Sequence, residues 1–149
     1  MLLPLLLGLG TAGAGLLALN AWAERRLMRP DARYPRPPVP PAAPGTRRLV
    51  CAGDSLTHGN MSASYATPLA ARLTPQGIEV FNAGINADLT YSLLRRLDDV
   101  IAARPDFVTL LIGTNDVNAT LGPGQLRHYR RLRKMASTEV PTPEAYRAN

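Results

Sequence analysis

Residues 48–59 have the sequence RLVCAGDSLTHG, which changes from apolar to small and polar residues within a few positions. The apolar run ends at Gly53, and a short run of this kind is typical of a strand that is buried on both faces of a sheet. Asp54 and Ser55 follow directly. Cys51, the single cysteine of 149 residues, excludes an internal disulfide framework and a cysteine-based metal site. Within this run it is predicted to be a small buried core residue rather than a reactive thiol.

Two more apolar runs end in the same way, at small and polar residues. Their sequences are IEVF at residues 78–81, followed by NAGINAD at 82–88, and FVTLLI at 107–112, followed by GTND at 113–116. Ligand sites of open parallel sheets lie at the carboxyl ends of the strands. The three loops are therefore predicted to lie together at one edge, and three such loops are stronger support for a site than any one motif.

The segments between these strands have the apolar spacing of helices. Tyr65, Leu69 and Leu73 lie four residues apart within residues 64–73, and residues 89–103 form the best amphipathic helix of the chain. The apolar stripe of this second helix consists of Leu93, Leu94, Leu97, Val100 and Ile101, and the residues that face away are Arg95, Arg96, Asp98 and Asp99. Strands that alternate with helices predict an α/β fold with a parallel sheet and right-handed crossovers.

The three loops carry residues that suit ester hydrolysis, which needs a nucleophile, donors for the developing oxyanion and a base. Ser55 is the candidate nucleophile, because the N-terminus of the helix that follows favours negative charge. The side-chain amide of Asn115 can reach the same oxygen, and a backbone N–H of the second loop would supply a further donor.

The order, spacing and strand context of these loops resemble the three sequence blocks of the SGNH/GDSL hydrolases, a family of esterases and lipases. Gly53-Asp54-Ser55-Leu56 is similar to the first block, residues 82–90 to the second, and residues 113–116 to the third. The similarity covers the chain from about residue 47 to its C-terminus. It implies a three-layer αβα sandwich with a parallel sheet, no cofactor, and a small-molecule acyl or acetyl ester as substrate.

Matching positions assign roles to individual residues. The resemblance implies that Ser55 is the nucleophile, that Asn115 is an oxyanion donor, and that Asp54 and Asp116 fix the loops. The family often has glycine as its second-block oxyanion residue, and Ala87 occupies that position here. The donor is the backbone N–H, which alanine retains, so the function survives if the backbone needs no positive φ at this position.

The catalytic base is the main departure from the family pattern. The family supplies its histidine, with a helping aspartate, from a late D-x-x-H block that this chain lacks; its two histidines are His58 and His128. We expect His58 to be a loop or rim residue and His128 to lie on a solvated helix. Thr142-Pro143-Glu144 predicts one more helix start close to the C-terminus.

Two interpretations are open. In the first, the chain is the N-terminal portion of an ester hydrolase and is inactive if truncated, unless the missing residues come from elsewhere. In the second, it is a non-catalytic, membrane-tethered module of the same fold that acts in binding or as a scaffold. A three-stranded sheet would leave an apolar strand edge uncovered in either case.

Residues 2–23 contain no charged residue and consist mostly of Leu, Ala and Gly. A helix of this length reaches roughly 33 Å, enough to cross a hydrocarbon core of about 30 Å. We therefore predict a transmembrane helix within residues 1–24, which acts as a single-pass anchor. The alternative is a cleaved signal that would leave the protein secreted, since Ala21-Trp22-Ala23 resembles a cleavage site, but no basic residue precedes the apolar run. The arginines that follow would keep that flank cytoplasmic, whereas envelope hydrolases act on the other side, so the orientation is open.

Residues 25–46 are predicted to be an Arg/Pro-rich linker that leads to a partial hydrolase domain at residues 47–149. Seven of the fourteen prolines lie within residues 30–44, which favours a semi-rigid polyproline II spacer. The net charge is +6, but the chain has only two phenylalanines and one tryptophan, so we expect no nucleic-acid partner. A P-loop is absent from the sequence, which disfavours nucleotide binding.

Overall fold

Three parallel strands form the centre of the fold. The computed structural model describes the backbone of residues 3–149 and the side chains from residue 15 onward. The strands are β1 (Arg47–Gly53), β2 (Ile78–Gly84) and β3 (Phe107–Leu111). Their order is β2–β1–β3, and β1 pairs in parallel with both neighbours. The prediction of an α/β fold with a parallel sheet is confirmed.

Helices surround and follow these strands. Within residues 3–149 they are α1 (Leu3–Leu27), α2 (Ser55–His58), α3 (Ala66–Leu73), α4 (Thr90–Leu94), α5 (Leu97–Ala102), α6 (Thr114–Thr120), α7 (Pro123–Arg131) and α8 (Pro143–Ala148), with a short 3-10 turn at Thr74–Gln76.

Side chains of β1 alternate between two apolar clusters, one on each face of the sheet. Val50 packs on one face in a cluster with Leu93 of α4 and Val100 of α5. Leu49 and Cys51 pack on the other face in a cluster with residues of α3. Cys51 is fully buried, as predicted. The αβα layers are therefore present around β1 and β2.

The apolar stretch at residues 89–103 is not the one helix that we predicted. It consists of α4 and α5, separated at Arg95 and Arg96, where Arg96 has a φ of −122°. The Arg96 guanidinium turns inward and donates to the carboxylate of Asp88 and to the backbone oxygen of Gly53. The apolar stripe is divided accordingly: Leu93 and Val100 are buried, whereas the three other members are 40–59% exposed, namely Leu94, Leu97 and Ile101.

The proline-rich segment, for which the sequence predicts a semi-rigid spacer, packs on the domain at two places. Tyr34 is 9% exposed, belongs to the same cluster as Val50, and donates its hydroxyl proton to Asp99 Oδ2 at 2.6 Å. The backbone oxygen of Pro40 accepts from Nη2 of the buried Arg48 at 2.7 Å. Both contacts depend on residues far along the chain, which local composition does not reveal.

β3 forms an uncovered edge of the sheet, as we expected for three strands. Its residues Phe107, Val108, Leu110 and Leu111 are 45–63% exposed. Since successive side chains of a strand point to opposite faces, both faces of β3 are open to solvent. The predicted sandwich is thus complete only over β1 and β2.

The predicted membrane segment at residues 2–23 lies largely outside the residues whose side chains the structure describes. Within the described part of the chain, no helix meets the length and apolarity needed to cross a bilayer.

Candidate active site

The carboxyl ends of all three strands meet at one edge of the sheet. Gly53, the last residue of β1, pairs with Gly84 of β2 and with Leu111 of β3. A Cβ at Gly53 would lie 2.2 Å from the Leu111 backbone oxygen, and one at Gly84 would lie 2.2 Å from the His58 backbone nitrogen. Only glycine allows such close approach of backbones, so these two residues hold the loops together. The predicted convergence of the three loops is confirmed.

Ser55 is the first residue of α2 and is partly exposed to solvent. The side chain of Asp54 caps this helix, because its Oδ1 accepts from the backbone N–H of Leu56 at 3.0 Å. α2 ends at Gly59, which adopts the left-handed conformation with a φ of 75°. Ser55 is therefore held in a short, capped turn with its side chain near solvent.

Asp54 is itself deeply buried, with 1% of its surface exposed. Burial raises the pKa of Asp54, and the negative charges of Asp88 and Asp116 act in the same direction, while the N–H of Leu56 opposes them. Several carboxylates thus lie close together at the edge where the loops meet. The cations and hydrogen-bond donors that contact them determine the electrostatic potential of the site.

Asn115, in the first turn of α6, joins the three loops. Its Nδ2 donates to the backbone oxygen of Asp88 at 2.9 Å and makes a long contact of 3.5 Å with Asp54 Oδ2. Tyr129 donates its hydroxyl proton to Asn115 Oδ1 at 2.9 Å, which sets the orientation of the amide. The N–H directed at Asp54 is weakly bound, because hydrogen bonds of this length contribute little.

Asp116 connects the third loop to the second. Its carboxylate accepts from the Thr90 hydroxyl at 2.6 Å and from the Thr90 backbone N–H at 3.1–3.2 Å. Thr90 begins α4, so Asp116 fixes the start of that helix, just as Asp54 fixes α2. These contacts agree with the loop-fixing roles that the resemblance implied.

Ala87 has a positive φ of 58°, in the left-handed region. The condition under which we expected alanine to replace glycine without strain is therefore not met. The backbone N–H of Ala87 has no hydrogen-bond acceptor among the described residues. The donor that the resemblance assigned to this position is thus present and unpaired, in a backbone conformation that costs an L-residue about 1 kcal/mol.

A buried ion cluster stabilises the second loop, and sequence reasoning missed it. Asp88, which is 2% exposed, contacts Arg96 Nε and Lys134 Nζ, each at 2.7 Å. The prediction that Arg96 faces solvent is wrong. Lys134 is the only lysine among seventeen basic residues, but this signal alone does not locate its partner.

The two histidines occupy different environments. His58 is 4% exposed, so the prediction of a loop or rim residue is wrong, and within the described residues its Nδ1 has no hydrogen-bond partner. Burial lowers the pKa of His58. His128 lies exposed on α7, as expected, and its ring centroid is 5.6 Å from that of Tyr129 in an edge-to-face arrangement.

A cleft of about 680 Å³ lies between the third loop and the C-terminal segment. Ile112, Gly113 and Asp116 line it on one side, and Tyr146 of α8 lies opposite. α8 starts where the sequence predicted, because Thr142 Oγ1 accepts from the Ala145 N–H at 3.1 Å. Ser55 is not among the residues that line this cleft. No group of three or more His, Cys, Asp or Glu in the described part of the chain is arranged to bind a metal ion.

Comparison with known proteins gives one family and several similar structures. Residues 51–146 match the model of the GDSL-like lipase/acylhydrolase family. The chain is similar to AlinE4, an SGNH-hydrolase family esterase, with 27% identity and a TM-score of 0.46 over 60% of this chain and 56% of that one. It is similar to the acetyl xylan esterase AlAXEase, with 26% identity and a TM-score of 0.44, over 58% of this chain and 54% of that one. It is also similar to a catalytic mutant of Axe2, an acetylxylan esterase from Geobacillus stearothermophilus, with 26% identity and a TM-score of 0.46. That match covers 64% of this chain and 50% of the other.

The chain spans about half the length of these three proteins. Among curated proteins, none matches it significantly.

Proposed function

This chain belongs to the GDSL-like lipase/acylhydrolase family, and from that membership we propose that it is a serine ester hydrolase, an acyl or acetyl esterase or lipase-like enzyme acting on a small-molecule ester. The observation that carries the proposal is the meeting of three loops at Asn115, whose amide contacts both Asp54, the neighbour of Ser55, and Asp88, the neighbour of Ala87.

In the proposed reaction, Ser55 Oγ attacks the carbonyl carbon of the ester and its proton is transferred to a base. The carbonyl oxygen becomes an oxyanion, the alcohol leaves with a proton, and an acyl group stays on Ser55. Water then attacks this acyl-enzyme, which releases the carboxylic acid and restores the serine.

Two donors are proposed to stabilise the oxyanion. The Ala87 N–H has no acceptor among the described residues, and the Asn115 N–H directed at Asp54 is only weakly bound. Both are therefore free to donate to a substrate oxygen without breaking a strong hydrogen bond. One oxyanion donor of this kind typically contributes about 3–4 kcal/mol to transition-state stabilisation.

The base limits the expected rate. The 149 residues contain no D-x-x-H block, so within this chain the proton of Ser55 passes to solvent. Oxyanion donors and substrate binding alone leave roughly 10³–10⁴-fold enhancement over water. The same lack of a D-x-x-H block favours the second candidate, a non-catalytic binding or scaffold module of this fold.

We also propose that residues 1–24, part of which lies outside the described side chains, attach the protein to a membrane as a single-pass anchor. The support is the apolar sequence of residues 2–23 together with the exposure of Leu16, Leu17, Leu19 and Trp22, which are 58–72% exposed. Contiguous exposed apolar residues mark protein-interaction or membrane-interaction sites. If the segment is cleaved, the protein is secreted instead.

A serine-directed fluorophosphonate and a chromogenic short-chain ester test the proposed chemistry. We expect the full chain to be labelled, because the oxyanion donors also bind the phosphoryl oxygen, and to hydrolyse the ester slowly. Ser55→Ala should abolish both signals. Ser62→Ala, a change at an exposed serine on the same side of the molecule, should leave both unchanged. If the folded protein shows neither labelling nor turnover, the non-catalytic module is the better assignment.

A further inference from the structure

We propose that the catalytic edge of the sheet faces the surface of a bilayer that contains anionic lipid, because the end of α1 is bound to the loops of that edge. The proposal rests on the membrane attachment proposed above. It states which face of the domain contacts lipid, and it therefore also states from which side an ester reaches Ser55.

The last turn of α1 is bound by the first and second catalytic loops. The backbone oxygen of Leu27 accepts from Asn60 Nδ2 at 2.9 Å and from Asn86 Nδ2 at 2.7 Å. Asn86 Nδ2 also donates to Asn60 Oδ1 at 2.7 Å, so the two amides form one unit. Carbonyls at the end of a helix have no partner within the helix, and these side chains satisfy one of them. Asn86 directly precedes Ala87, the proposed oxyanion donor.

A second contact fixes the direction in which α1 leaves the domain. Glu24 Oε1 lies 2.6 Å from Arg131 Nη2 at the end of α7. Both side chains are well exposed, so the pair contributes little stability. Its effect is geometric, because it holds the helix at a second point, Glu24, in addition to Leu27. The C-terminal end of α1 therefore lies at the edge that carries Ser55.

The described part of α1 before these contacts carries exposed apolar side chains on several sides, and Asn20 is its one polar residue. Leu16, Leu17, Leu19 and Trp22 are all more than half exposed. At about 100° per residue these four side chains point in directions spread around the helix axis. A protein groove covers one stripe of a helix, whereas lipid surrounds it on all sides. We therefore assign lipid, rather than a protein partner, as the occupant.

Charge identifies the kind of lipid surface. Arg25, Arg26 and Arg29 follow the apolar part directly, and the Arg26 guanidinium lies 5.7 Å from the centre of the Trp22 ring. Tryptophan is enriched at membrane interfaces, and basic residues next to an apolar helix bind anionic headgroups. Trp22 and Leu27 are five residues apart, roughly 7.5 Å along the helix axis. The headgroup layer thus lies level with the loops that hold Leu27.

Two fluorescent positions test this orientation on the full chain. Met61→Cys places an environment-sensitive label beside Asn60 on the catalytic edge, and Gln76→Cys places it at the opposite end of the sheet; both residues are exposed. Cys51 is buried, so labelling is specific. With vesicles of phosphatidylcholine and phosphatidylglycerol that carry a quencher lipid, the label at position 61 should be quenched and shifted to shorter wavelength. The label at position 76 should not change.

The single tryptophan of the chain separates orientation from attachment. If Trp22 is quenched by lipid while the label at position 61 remains in water, the orientation is overturned and the attachment stands. If Trp22 itself remains in water, the attachment proposed above fails. If Trp22 becomes buried without vesicles as the protein concentration rises, a second copy is the occupant and the orientation is overturned. None of these signals requires ester hydrolysis, so they do not depend on the chemistry of Ser55.

Two pairs of variants test the contacts and the charge. In Asn60→Ala/Asn86→Ala, Trp22 should still enter the lipid while the label at position 61 loses its quenching.

Arg25→Gln/Arg29→Gln should weaken partition onto the anionic vesicles by about 30-fold, since each basic residue near such a surface contributes about 1 kcal/mol. The matched pair Arg72→Gln/Arg104→Gln removes the same number of charges elsewhere on the surface. It should weaken the partition onto these vesicles far less. Equal losses in the two pairs would contradict the orientation.

Discussion

Ala87 combines two properties at one residue. Its backbone N–H is the donor proposed for the oxyanion, and its φ of 58° is one that glycine adopts without strain. The position is held there by its neighbours, since Asn86 binds Leu27 and Asp88 binds two cations. The strain is therefore stored in the loop that carries the proposed site.

Ala87→Gly should relieve this strain. We expect the free energy of unfolding to rise by up to about 1 kcal/mol, because the left-handed conformation costs alanine about that much. Chemical denaturation measures the change. Ala71→Gly, at an exposed position within α3, should have the opposite sign, with a loss of about 0.5–1 kcal/mol. A destabilised Ala87→Gly variant would show that the positive φ is not the source of strain.

His58 should make stability depend on pH. Burial lowers its pKa, so as the pH falls below about 6.5 the unfolded chain takes up a proton more readily than the folded one. The free energy of unfolding therefore decreases as the pH falls through this window. His58→Gln should reduce that decrease, and His128→Gln, at an exposed site, should retain it. Parallel pH profiles for wild type and His58→Gln would contradict the assignment.

At the scale of elements, the uncovered strand β3 is the main liability of the domain. Leu110 is 63% exposed, and an exposed apolar edge strand is a template for association with other chains. Its burial differs sharply from that of β1, in which Leu49 is 7% exposed.

Leu110→Lys should decrease self-association, measured by light scattering or sedimentation, and change the free energy of unfolding by less than about 0.5 kcal/mol. The same substitution at Leu49 should cost more than about 3 kcal/mol, because it places an unpaired charge in the core. If Leu110→Lys proves as destabilising as Leu49→Lys, β3 is covered in solution.

The elements that sequence predicts well are those that local pattern determines. Each strand was found from an apolar run that ends in small residues, and the N-cap of α8 from Thr142-Pro143. The break between α4 and α5 was missed, because Arg96 leaves the helical pattern to reach Asp88 and Gly53. The burial of His58 was missed for the same reason: it depends on tertiary contacts that no local window contains.

At the scale of the whole molecule, the segment before β1 belongs to the core. Tyr34 packs with Val50 and Leu93, and it donates to Asp99 across 65 residues of chain. Arg48 is buried and reaches Pro40, Glu79 and the backbone oxygen of Ala103. The segment and the sheet are therefore expected to unfold together.

Tyr34→Ala should lower the free energy of unfolding by about 3–5 kcal/mol, as expected for the loss of a large buried side chain. Tyr34→Phe keeps the ring and loses the hydrogen bond to Asp99, so a loss of about 1 kcal/mol is expected. Denaturant titration of both variants gives the comparison. If Tyr34→Ala costs no more than Tyr34→Phe, the ring contributes nothing and the segment is only a tether.

The contacts of Tyr34 and Pro40 also bear on how the protein can be divided. A fragment that starts at the first residue of β1 would expose the face of Val50 and leave the guanidinium of Arg48 without its Pro40 acceptor. A buried cation that loses a partner is costly. The smallest independently folding unit must then begin upstream of Tyr34, and any fragment made without α1 should be cut there rather than at β1.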